Sequence, residues 1–105
     1  MNLTCEQLYS LLSQKFETAQ TDWSGHSEVP KPPYVVYVEE KPDVVPADNI
    51  AYYVEARYRV ELYIRKTDYV SESKLEALLN GAEIYWEKEK IWNRELDLFQ
   101  VIYMI

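Results

Sequence analysis

A chain of 105 residues is the size of one domain, and 48% hydrophobic residues supply a core that needs no metal or disulfide. A net charge of −7, from 11 basic and 18 acidic residues, argues against a nucleic-acid binder held by phosphate contacts, which needs a basic footprint. Cys5 is the only cysteine, which excludes an intrachain disulfide and suits a reducing compartment, and Gly25 and Gly81 alone cannot assemble a phosphate-cradling loop.

The opening MNLTCEQ has neither a basic n-region nor an apolar run, so no secretory signal is expected. The longest apolar runs, such as 34–38 and 101–105, fall far short of the about twenty residues of a membrane span. Thr4-Cys5-Glu6-Gln7 fits a capping box, and Leu8, Leu11, Leu12 and Phe16 follow at helical spacing. An amphipathic helix running to about Ala19 is expected, lying on a sheet because Gln7, Ser10, Gln14 and Glu17 occupy its other side. Gly25 and the PKPP run make residues 21–33 a connector. Residues 34–40 (YVVYVEE) read as a strand, and 41–49, with two prolines and two aspartates, as an exposed, partly stiff loop.

The stretch 51–66, AYYVEARYRVELYIRK, organises the rest. Tyr52, Val54, Ala56, Tyr58, Val60, Leu62 and Ile64 alternate with Tyr53, Glu55, Arg57, Arg59, Glu61, Tyr63 and Arg65. Period two over so many β-branched and aromatic residues signals a strand with one buried face. At roughly 3.3 Å per residue it reaches about 45 Å, well beyond the roughly 13 Å radius of gyration of a domain this small. It must bend sharply or project an arm. Its second face, with mixed charge and tyrosines, is either a solvated surface or one that docks on another copy, since Tyr and Arg are enriched at interfaces.

Ser73-Lys74-Leu75-Glu76 reads as a second capping box, opening a short helix with Leu75, Leu78 and Leu79 on one side and Gly81 as the residue just past its end. Residues 84–92 (IYWEKEKIW) then read as a strand with a charged middle, Asn93-Arg94-Glu95 as a turn, and 96–105 as a last strand. The order α-β-β-α-β-β predicts a single α+β domain over 1–105. Its expected form is a four-stranded antiparallel sheet with two helices packed on one face and a long protruding β-hairpin.

Catalytic chemistry has little to work with. His26 is the sole histidine, so its neighbours Asp22 and Glu28 make a poor metal site, and a surface loop residue is the simpler reading. Cys5 at the first position of a helix has a dipole that favours thiolate, yet a cysteine beside an apolar helix side normally just packs. Glu39, Glu40 and Asp43, and the pair Glu87 and Glu89, could serve as acid and base but lie among prolines and lysines, as a solvated edge does. Trp23, Trp86 and Trp92 could stack on a ligand, but at least two are expected to fill the core or an interface. No enzyme activity, cofactor or metal is expected.

Helix one, the run Pro30-Lys31-Pro32-Pro33-Tyr34-Val35-Val36-Tyr37 and the loop ending Ala47-Asp48-Asn49 carry a resemblance, together with Val60-Glu61-Leu62-Tyr63, Leu75-Glu76-Ala77-Leu78-Leu79 and Gln100-Val101-Ile102-Tyr103. The chain resembles small tail terminator, or tail-to-head joining, proteins of long-tailed bacteriophages and prophages. The resemblance implies an α+β fold and a hexameric ring that caps the tail tube, stops its polymerisation and offers a surface to the head connector. It further implies a virion location after assembly in the bacterial cytoplasm, and no enzymatic site. The partners so implied are other copies of the chain, the tail-tube protein and the head connector protein, with no membrane and no sequence-specific nucleic acid.

A closing ring needs two different complementary patches on each subunit. The candidates are Tyr53, Glu55, Arg57, Arg59, Glu61 and Tyr63 on the long strand, and Trp86 and Trp92 in the later hairpin. A small acidic phage-encoded inhibitor of a host nucleic-acid enzyme is the alternative, although interleaved bases break the acidic stripe such an inhibitor needs.

Overall fold

The computed structural model describes residues 3–23, 29–47 and 51–105, with side chains for all but 43–47 and 51–55. The elements are α1 (Cys5–Leu12), β1 (Glu17–Gln20), β2 (Tyr34–Ala47), β3 (Ala51–Ile64), α2 (Ser71–Gly81), β4 (Glu87–Asn93) and β5 (Leu98–Met104). They form an α+β fold with one five-stranded sheet in the order β1-β2-β3-β5-β4. The expected sheet was four-stranded and wholly antiparallel; it is mixed, because β1 pairs parallel with β2 through Glu17↔Tyr34 to Gln20↔Tyr37.

That extra strand comes from the stretch expected to be the end of the first helix. The capping box holds, with the Gln7 amide donating to Thr4 Oγ1 at 3.1 Å and the Thr4 amide to Gln7 Oε1 at 2.9 Å. The helix stops at Leu12, where the Ser13 hydroxyl turns back to donate to the Tyr9 carbonyl at 2.7 Å. Phe16 still reaches the core through a turn, after which Thr18 and Ala19 are buried in extended chain. Helical spacing of Leu8, Leu12 and Phe16 is thus met by a helix plus a turn.

The long strand forms as read, as β3. Its core half is held on both sides, with Tyr34–Tyr63 through Tyr37–Val60 pairing on β2 and Arg59–Met104 through Ile64–Phe99 on β5. Val60, Leu62 and Ile64 are sealed there against Val35 and Tyr37 of β2, Val101 and Tyr103 of β5, and Leu8, Leu12, Leu75 and Leu79 of the two helices. Both helices therefore cover the same face.

Residues 41–47 are not the expected loop. β2 continues to Ala47, absorbing Lys41-Pro42 in a bulge between Glu40 and Asp43 and then pairing Asp43↔Glu55 through Ala47↔Ala51. A bulge places extra residues on one strand and so carries a proline past the ladder. In the sheet registers, residues 43–47 and 51–55 pair only with each other. This ribbon is the expected protruding hairpin, its turn lying outside the described residues. It accounts for a longest extent of 51 Å and a radius of gyration of 15.0 Å, against about 13 Å for a compact domain of this length.

Smaller differences occur at α2. The helix begins at Ser71, two residues before the expected box; its N-cap Val70 makes no side-chain capping bond, and Asp68 satisfies the amides at this end instead. Its carboxylate accepts from the Val70 and Ser71 amides at 2.9 and 3.0 Å and from the Ser71 hydroxyl at 2.6 Å. Partial burial pushes the Asp68 carboxyl up, but these hydrogen bonds outweigh it and leave the carboxyl below its usual range. Gly81 is the last helical residue and Ala82 the cap; the left-handed conformation falls on Glu83 (φ 58°). The last two strands start later than read, at Glu87 and Leu98.

Two outcomes follow from this packing. Leu62→Ala, at a fully buried position, is expected to cost about 2–5 kcal/mol in chemical denaturation. The second concerns alkali. Burial raises the phenols of Tyr58, to about 12, and of Tyr103, whose hydroxyl also donates to Glu76 at 2.9 Å. A raised folded pKa stabilises fully below the unfolded value near 10 and is lost as pH rises through the folded value. Stability should therefore hold to about pH 10 and then fall, and Tyr103→Phe should flatten that fall while costing about 1 kcal/mol at neutral pH.

Candidate functional site

The face of the sheet turned away from the helices carries a polar network at its centre. Glu61 sits at mid-β3 with its side chain only 10% exposed. Arg59 Nε donates to Glu61 Oε2 at 2.7 Å, the Tyr63 hydroxyl to Oε1 at 2.7 Å, and Gln100 Nε2 to the same Oε1 at 2.6 Å. Arg59 reaches further to Glu40 of β2 at 2.6 Å. Alternation puts Arg59, Glu61 and Tyr63 side by side on one face, and the β3–β5 register sets Gln100 opposite Tyr63. A carboxylate with donors on both oxygens is satisfied as an ion despite its burial.

An aromatic run extends this network towards β1. Tyr63 stacks on Tyr34 with ring centroids 5.0 Å apart, and Trp23 meets Tyr34 edge-on at 6.0 Å. The Tyr63 phenol is pushed well above its ordinary range, first by burial and then by its bond to Glu61. The face is thus a plane of packed rings beside ion-paired charge.

The expected interface residues divide between two surfaces. Arg59, Glu61 and Tyr63 belong to this network, Arg57 lies in the same alternation, and the side chains of Tyr53 and Glu55 are outside the described residues. Trp86 and Trp92 lie on the helix-covered side. Trp86 packs edge-on against Tyr103 at 5.5 Å and donates to Asn80 Oδ1 at 2.9 Å, while Trp92 meets Phe99 at 4.9 Å and keeps 39% of its surface exposed. Beside them Lys88 bridges to Glu76 at 2.7 Å and Lys90 to Glu72 at 3.3 Å, fastening edge strand β4 to α2. Sequence reading missed Gln100, Tyr34 and Glu40 as members of the network. A glutamine inside an otherwise apolar strand was the available signal for Gln100; the other two needed the strand register.

The residues weighed for catalysis are dispersed. Cys5 donates weakly to Glu39 at 3.7 Å beside the core, Glu39 and Glu40 point to opposite sides of β2, and His26 lies outside the described residues. No helix among the described residues is long and apolar enough to cross a membrane. A scan against protein-family models and searches of curated proteins and of solved structures return no match to this chain.

Removing the acceptor tests the network. Glu61→Ala leaves three donors facing one another and is expected to destabilise by about 1–3 kcal/mol, with Glu61→Gln costing less. In both variants the Tyr63 phenol should titrate lower than in the parent, read by NMR of ring-labelled tyrosine.

Proposed function

We propose that this chain is a non-enzymatic assembly subunit of a long-tailed phage or prophage particle, of the tail terminator or head–tail joining type. It works as a ring of copies, six in the family it resembles, between the tail-tube protein and the head connector. The β2–β3 arm carries this reading. A two-stranded ribbon is marginally stable by itself, and this one runs past the core with each strand in register only with the other. Lying along a neighbouring subunit would cover it. The network face adds a rigid surface rich in Tyr and Arg, the residue types enriched where proteins meet.

The inhibitor alternative fits less well. Imitating DNA needs a continuous run of unpaired acids, whereas Glu40 and Glu61 are tied to Arg59, and Glu72 and Glu76 to Lys88 and Lys90.

Sedimentation velocity combined with electron microscopy of purified tail tubes tests the proposal. The expected result is a ring, in solution or at the end of a tube, and arrest of tube growth on addition of the protein. Tubes that lengthen unaffected, with the protein unbound, would refute it.

A further inference from the structure

Opposite the arm, the start of β2, the end of β3 and the β4–β5 turn enclose a shallow hollow of about 590 Å³. Val29, Pro30 and Leu96 give it apolar walls, and Lys31, Arg65 and Lys66 stand around it. Val29 and Leu96 are 57% and 50% exposed and both line this hollow, an apolar wall that a partner can cover. All three cations are exposed, and none forms an ion pair with a described residue. The contrast with Arg59, Lys88 and Lys90, which are all ion-paired, is plain in a chain of net charge −7. Asp97 is the one acid in the lining.

The arm has the opposite character. Between residues 43 and 55 the sequence carries Asp43, Asp48 and Glu55 and no basic residue, with Tyr52, Tyr53 and Val54 among them. Past the bulge the register pairs Asp43 with Glu55, two acidic positions matched across the ribbon. Like charges opposed in this way destabilise a strand pair, and cations brought from outside relieve them.

We infer that the hollow lined by Val29, Pro30, Leu96, Lys31, Arg65 and Lys66 receives the β2–β3 arm of a second copy of this chain. This rests on the proposed self-assembly and names its contact. Glu55 of the arm and Arg65 of the hollow lie about 33 Å apart along β3, taking roughly 3.3 Å per residue. One copy therefore cannot fill its own hollow. Two unlike patches at opposite ends give a head-to-tail contact, which closes as a ring when the rotation per subunit allows.

Charge exchange followed by sedimentation velocity tests the contact, using the whole chain at concentrations up to the millimolar range. The hollow variant is Lys31→Glu with Arg65→Glu and Lys66→Glu; the arm variant is Asp43→Lys with Glu55→Lys. Each alone should associate roughly tenfold or more weakly than the parent, and an equimolar mixture should recover association, because each then offers the charge the other lacks. Parent association should also weaken with added salt, a readout that needs no variant. Variants that associate as tightly as the parent, or parent association indifferent to salt, would overturn the contact and leave self-assembly standing. A dimer as the end point, with the exchange pattern intact, would keep the contact and overturn the ring. A parent that stays monomeric in solution and on tail tubes would overturn both.

Discussion

Residues 58–63 of β3 hold the molecule together, since there the long strand is bonded on both edges, to β2 on one side and to β5 and Ile105 on the other. Val60 and Leu62 bring one face of that stretch under the helices, and Glu61 anchors the polar network on the other. Hydrogen-bonded edges, an apolar side and a satisfied carboxylate all require one register, because a slip by one residue would exchange the two faces. Core and network are consequences of the same pairing.

The two ends of β3 have different neighbours. Towards Ile64 the strand lies in a sheet with helices above it; towards Ala51 it has only β2. The core half folds on apolar burial under the helices, whereas in the sheet registers the distal half pairs with β2 alone. That asymmetry is the physical ground for the proposal that the arm meets a second copy. Near the core Arg59, Lys88 and Lys90 tie acids of β2, β3 and α2, while the cations around the hollow form no ion pair with a described residue.

Much of this was legible in the residues. The alternation from Tyr52 to Arg65 marked β3 to within a residue, and Thr4 with Gln7 marked the start of α1. What escaped were features decided by contacts distant in sequence. Thr18 and Ala19 fit either the end of a helix or a short edge strand, and pairing with β2 decides for the strand. Pro42 argued for a loop because a proline cannot sit in a regular ladder, yet a bulge removes that objection. The network needed Gln100 and Glu40, which only the register brings beside Arg59 and Glu61. Asp68 displaced the expected cap of α2 because a side chain three residues upstream reached the helix amides first.

The bulge has a geometric effect of its own. Before it, Glu39 meets Tyr58; after it, Asp43 meets Glu55, so β2 spends one more residue than β3 over the same distance. Bulges tighten local twist and bend the strand that carries them. The irregularity at Lys41-Pro42 therefore acts as a steering joint, setting the heading of the distal ribbon independently of the core's side-chain packing. Shortening this joint by one residue would leave the sheet beneath the helices intact and aim the ribbon elsewhere, so the geometry of any assembly it builds can change without rebuilding the domain.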